Sequence, residues 1–170
     1  DGLWFTSNDG SGQGQQTPDA NALPSLLVPA RGASTRAMHT TGMNFSNWGA
    51  LVGANFVATG KTAMPYNASA YQGVTFTAKM GRTGTTAAMR VSISDYDTLF
   101  ACQVCNDPFG AVVTLTLNFQ TFQVPFSSFK QAGFGRQQAK AFDPTRAYSL
   151  LFSWTANQTF DVWIDDVSFY

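Results

Sequence analysis

The sequence predicts an all-β protein, an antiparallel two-sheet β-sandwich closed as a jelly roll, and three observations predict it. Segment after segment alternates apolar and polar residues with a period of two, the mark of a half-buried strand. Turn signals separate the segments, at Met80-Gly81, Gly84, Asp107-Pro108, Gly133 and Asp143-Pro144. The composition also disfavours exposed helices: all ten acids are Asp, Glu is absent, and Lys occurs only four times. Asp is a turn and cap residue, whereas Glu and Lys populate helix surfaces. A chain of 170 residues suits one domain, spanning 1–170, with a proper core.

Taken in order, residues 3–7 form a first short strand. The polar, glycine-rich run from Asn8 to Pro18 is a surface loop; it has neither the Lys nor the following helix of a phosphate loop. Ala33 to Thr41 is a strand carrying His39, the single histidine, which is expected to be structural. Asn47 to Val57 is a strand containing Trp48. In Ser69 to Met80, Val74, Phe76 and Ala78 face the core, while Thr75, Thr77 and Lys79 face away. Met89, Val91 and Ile93 repeat the pattern, opposed by Arg90, Ser92 and Ser94. Strands at Val112 to Leu117 and Thr121 to Phe126 follow, with a helical turn over Ser127 to Gln131. Tyr148 to Trp154 is the penultimate strand. Roughly nine or ten strands without helical periods between them mean two packed sheets.

The closing stretch, Phe160 to Tyr170, is expected to be the central, anchoring strand. Phe160, Val162 and Ile164 point one way; Asp161, Trp163 and Asp165 point the other. The adjacent carboxylates Asp165 and Asp166 break the pattern before Val167 and Phe169 resume it. Two acids inside a strand are costly unless compensated, either by a bound cation or by donors at a bulge.

Charged residues make up 12% of the chain against a usual ~25%, and the formal net charge is +0, so a nucleic acid or an anionic membrane surface finds no electrostatic support. No apolar run reaches the ~20 residues that span a bilayer, and no leader peptide is visible. The opening Asp1-Gly2-Leu3-Trp4, without an initiator Met, suggests a processed or excised fragment. Cys102 and Cys105 lie in a loop. A redox pair there wants a helix start, and a zinc site wants two more ligands when only His39 remains. A disulfide, and with it an oxidising, extracellular compartment, is the expectation.

Four stretches carry a resemblance. They are Tyr71-Gln72-Gly73-Val74-Thr75-Phe76-Thr77-Ala78-Lys79; Met89-Arg90-Val91-Ser92-Ile93-Ser94-Asp95 with Thr98; Phe122-Gln123-Val124-Pro125-Phe126-Ser127-Ser128-Phe129 before Gly133-Phe134-Gly135; and Phe160 to Phe169. In this order they resemble the jelly-roll, galactose-binding-like carbohydrate-binding modules attached to secreted bacterial polysaccharide-degrading enzymes. The resemblance implies a secreted, noncatalytic domain that binds a polysaccharide or oligosaccharide. It also implies a structural calcium ion held by Asp165, with Asp166 beside it, and by backbone carbonyls around Arg31-Gly32-Ala33-Ser34, chiefly Gly32 and Ser34. The family's acid from an earlier strand has no direct counterpart, so either Asp1 or Asp9 substitutes, or the site is incomplete, or a strand from another chain completes it.

Sugar binding needs flat aromatic faces for the pyranose rings and polar groups for the hydroxyls. Parity turns Trp163 and Arg90 outward, with Asp95, Tyr96 and Asp97 in the loop beyond Arg90. These residues, with Trp154 if its strand turns outward, are the expected platform; otherwise Trp154 joins Trp4 and Trp48 in the core. Two other classes compete. A glycosidase would need facing carboxylates, which Asp95 and Asp97 at i and i+2 do not promise. A structural or adhesive subunit that self-associates into an extracellular assembly would suit a low-charge chain rich in Thr, Ser, Asn and Gln.

Overall fold

The computed structural model describes residues 3–19, 24–60, 62–137 and 141–170, with only the backbone of Arg136 and Gln137. In chain order the strands are β1 Trp4–Asn8, β2 Gln15–Thr17, β3 Ser25–Arg31, β4 Ser34–Met43, β5 Ala50–Asn55, β6 Val57–Thr59, β7 Thr62–Met64, β8 Gly73–Met80, β9 Ala88–Asp95, β10 Cys102–Val104, β11 Phe109–Thr114, β12 Gln120–Pro125, β13 Arg136–Gln137, β14 Ala147–Trp154 and β15 Phe160–Phe169. Two antiparallel sheets face each other. One runs β1-β5-β14-β9-β11; the other runs β12-β8-β15-β4-β2, with β3 also paired to β4. The ladders β6–β7 and β10–β13 lie outside both. β15 is central in its sheet, between β8 and β4, as expected of the closing stretch.

The inward positions meet as one core. Phe76, Phe152, Phe160, Val162, Ile164, Met38, Met89, Val91 and Ile93 are all within 1% of complete burial. Trp154 is in this core at 2% exposure, its ring stacked on Phe160 with centroids 4.1 Å apart. Trp48, expected inside a strand, precedes β5 in a loop and is 48% exposed. The strands that alternation does not announce are short or irregular. β2 and β3 exist because the long β4 offers its free edge to both: Gln15–Thr17 pair with its end, and Ser25 and Leu26 with its start.

Asp carboxylates here accept backbone N–H groups, most of them from loops distant in sequence. Asp9 takes Asn47 and Gly49, Asp95 takes Thr98 and Asp143, and Asp107 takes Ala132, Gly133 and Gly135. The Asp95 bond caps a four-residue helix, α1 Tyr96–Leu99, where a loop was expected. The helical turn expected over Ser127 to Gln131 is a 3₁₀ turn at Phe126–Ser128. Cys102 and Cys105 form a disulfide.

Phe76 packs between Phe122 (5.2 Å) and Phe152 (5.2 Å, edge-on) at the centre of the sandwich. Phe76→Ala should therefore cost about 3–5 kcal/mol, read as a lower urea midpoint at unchanged slope.

Candidate functional site

The outer face of the six-stranded sheet is built around Trp163. Its backbone register places His39 of β4 on one side and Lys79 of β8 on the other. His39 stacks on the indole, centroids 4.0 Å apart and planes 5° from parallel. The imidazole is held in turn: its Nε2 lies 2.9 Å from Asp161 Oδ1. Arg82 Nε stands 3.6 Å from the other oxygen of that carboxylate. Gly81 makes this possible, since a Cβ there would lie 1.9 Å from Asp161 Oδ1. One face of Trp163 is thus covered, and the chain of contacts fixes the ring.

Trp163 also lines a cleft with Lys79 and Phe119. Lys79 Nζ sits 5.0 Å from the Phe119 ring centroid, and the Arg31 guanidinium 5.4 Å from it. The segment Leu27 to Arg31 of β3 rises as the opposite wall, with Val28 89% exposed. Together they enclose a cleft of about 360 Å³. Beyond the cleft the face is lined with hydroxyls and amides: Thr41 and Thr17 pair across β4 and β2, while Thr77 and Thr121, and Thr75 and Gln123, pair across β8 and β12. An apolar slot flanked by neutral polar groups can seat a ring that has apolar faces and a hydroxylated rim.

Of this set, parity had turned Trp163 and Lys79 outward. Phe119 and the β3 wall were missed. Phe119 was legible as an apolar residue two positions before the outward Thr121. The β3 wall was not, because Leu26-Leu27-Val28-Pro29-Ala30 does not alternate.

The expected platform does not assemble. Arg90 lies on the outer face of the other sheet, opposite Val112 of β11 and Ser153 of β14. Its Nη2 donates to the carbonyls of Pro108 (3.2 Å) and Lys130, and burial pulls its pKa below the usual guanidinium value despite Asp107. Asp95 is wholly buried as the α1 cap. Tyr96 lies under the Arg146 guanidinium at 4.5 Å, and Asp97 is 3.7 Å from Arg146 Nη2. Trp154 is core. The reason is topological: alternation says that a side chain leaves the core, and a sandwich has two outsides.

Of the expected calcium ligands, Asp165, Asp166 and Ser34 meet at one bulge, and Asp9 is engaged elsewhere. Asp1 lies outside the described residues. Asp9 is occupied by the N–H groups of Ser11, Asn47 and Gly49 and by the Ser11 hydroxyl, which hold its carboxyl far below the usual range although burial opposes them. Asp165 and Asp166 sit at a β-bulge: the register to β8 shifts between Asp165 and Ser168, and Asp166 adopts φ +50°. Arg31 Nη2 donates to Asp165 Oδ2 at 2.7 Å and also to Asp166 Oδ2. Ser34 Oγ donates to Asp165 Oδ2 at 2.6 Å, and the Asp166 N–H to Asp165 Oδ1 at 2.9 Å. Gly32 lies in the tight β3–β4 turn at φ +59°, beside the Arg31–Ser34 pair. Calcium wants six to eight oxygens. Here the carboxylates are already bound to a cation and a hydroxyl, and no three His, Cys or Asp side chains converge among the described residues. This donor set does not fit calcium.

The sheet arrangement has relatives among solved structures. A family 11 carbohydrate-binding module of a cellulosomal cellulase of Clostridium thermocellum superposes with a TM-score of 0.67 at 13% identity, covering 98% of this chain and 86% of that one. The fold is that of a carbohydrate-binding module. A family 11 module solved in complex with a β-1,3-1,4-mixed-linked tetrasaccharide gives 0.62 at 15% identity, covering 98% of this chain and 95% of its own. A family 30 module of another cellulosomal cellulase from the same organism gives 0.62 at 14%, covering 99% and 91%. No family model and no curated protein sequence matches the chain. Among the described residues no helix is long and apolar enough to cross a membrane.

Burial would raise the Asp165 carboxyl pKa, but the hydrogen bonds from Ser34, Arg31 and the Asp166 N–H, with the Arg31 charge, outweigh it and hold the pKa below its ordinary 3.8. A depressed pKa gives stability that is present above the unfolded value and lost as pH falls through the folded one. The melting temperature should therefore drop as pH is lowered below about 4, and Asp165→Asn should flatten that drop in a pH series of thermal melts.

Proposed function

We propose that this domain binds a neutral polysaccharide without cleaving it, along the outer face of the six-stranded sheet. The observation that carries this reading is the cleft between Trp163, Phe119 and the β3 wall, with the indole held from one side by His39. A ring fixed before binding loses little rotamer freedom on contact, so stacking on it yields more net affinity. The hydroxyl and amide rows on either side can exchange hydrogen bonds with sugar hydroxyls. The fold supports the same reading, since one of its relatives was solved with a tetrasaccharide bound.

Charge and chemistry argue for binding over catalysis. The nearby acids are all committed, Asp161 to His39 and Arg82, Asp165 and Asp166 to Arg31. A glycosidase of the usual kind needs one carboxyl group protonated as an acid and another facing it across the bond. With its pKa lowered, Asp165 is ionised near neutral pH and is a poor proton donor. Of the two cations that line the cleft, Arg31 is neutralised by two carboxylates and Lys79 lies over Phe119. The disulfide fits an oxidising, extracellular setting.

Affinity electrophoresis against soluble polysaccharides, a β-1,3-1,4-mixed-linked glucan among them, tests this. Trp163→Ala should weaken retention more than tenfold, about 1.4 kcal/mol, with little change in melting temperature. Phe119→Ala should weaken it in the same direction, and Arg90→Ala, on the opposite face, should not. Equal loss in Arg90→Ala would move the site to the other sheet. Release of reducing sugar by the wild type would refute the noncatalytic reading.

A further inference from the structure

We propose that Arg31 is the built-in cation of this sandwich, doing with a guanidinium what a metal ion would otherwise do at the bulge of β15, and that the same residue positions the wall of the cleft. The positioning half rests on the carbohydrate reading above; the cation half does not.

Three features of the bulge argue for it. Two carboxylates stand side by side in a central strand, Asp165 half-buried and Asp166 exposed, and their mutual repulsion must be neutralised. A single nitrogen, Arg31 Nη2, contacts one oxygen of each. A group that bridges two carboxylates occupies the place of a bridging ion, and the charge of Arg31 cannot be lost by deprotonation at any ordinary pH. Ser34, across the β3–β4 turn, adds a hydroxyl to the same Asp165 oxygen. The turn itself brings the two donors together: Arg31 and Ser34 face each other in register, and Gly32 takes the left-handed conformation that closes so tight a loop.

The clamp also reaches the cleft. Arg31 is the last residue of the β3 wall, and its guanidinium lies 5.4 Å from the Phe119 ring. A planar cation can hold two carboxylates at its edge and still offer its face to an aromatic ring, which a spherical ion cannot. One side chain therefore ties the wall, the floor strand β15 and the aromatic rim together. Arg31 acts on a ligand through the placement of Val28, Pro29 and Phe119, which makes it a positioning residue.

Thermal melts of the wild type in chelator and in millimolar calcium should coincide. A chelator-induced fall, or calcium uptake by titration calorimetry, overturns the proposal. Arg31→Met should lower the melting temperature by at least about 4 °C, since it strands two carboxylates. The triple variant Arg31→Met, Asp165→Asn, Asp166→Asn should recover much of that loss, because the stranded charge is gone; strict additivity would overturn the clamp even if the single variant folds poorly. For positioning, Arg31→Lys keeps the charge and lacks the planar fork. It should melt close to the wild type yet bind the polysaccharide several-fold more weakly, whereas unchanged binding overturns the positioning role. If the wild type binds no polysaccharide at all, the carbohydrate reading fails while the melts still decide the clamp.

Discussion

Strand β15 must satisfy two solvents at once, and the rest of the molecule is arranged around how it does so. Its inward residues Phe160, Val162 and Ile164 are within 1% of full burial between the sheets. Its outward residues Asp161, Trp163 and Asp165 stand on the open face. Strict alternation carried to the end would put Phe169 with Asp161 and Asp165 on that open face. The bulge at Asp165–Asp166 inserts one residue and changes the parity, so Phe169 pairs with the buried Val74 and packs among Phe56, Tyr66, Tyr71 and Phe126. A bulge bends its strand and leaves polar groups unpaired. Here Arg31 binds the side-chain carboxylates of Asp165 and Asp166, and Ser34 that of Asp165, so the irregularity that returns the strand to the core also anchors the β3–β4 hairpin.

The open face is held more firmly than an exposed sheet requires. Trp163 leans on His39, His39 meets Asp161, and Asp161 fills the space that Gly81 leaves free. On the far side Lys79 and Arg31 converge on Phe119. A site supported by such neighbours on strands is better fixed than one on loops. The loops, by contrast, are tied to distant segments by Asp carboxylates that accept backbone N–H groups, as Asp9, Asp95 and Asp107 do.

Fold and function rest on different grounds here. Identities of 13% to 15% with TM-scores of 0.62 to 0.67 show a shared architecture. Architecture alone hosts many activities. The carbohydrate reading depends on the cleft itself, on how its indole is held and which acids are already spoken for. The bulge is where this chain parts from the calcium-bound arrangement that its sequence resemblance implies.

Alternation and turn chemistry are local, and they were enough to determine the fold class, the core made by Phe76, Val91 and Ile164, and the outward direction of Trp163 and Arg90. They could not say which outside each residue reached. Trp163 and Arg90 obey the same period-two rule, yet strand pairing over long sequence distances puts them on opposite sheets. Pairing likewise created β2 and β3 from segments with no strand pattern, because β4 had a free edge to offer. It brought Phe119, Lys79, Arg31 and Asp165 together from four separate stretches. A side chain's direction is set by its own backbone, while its neighbours are set by which strands pair, and only the tertiary structure decides that.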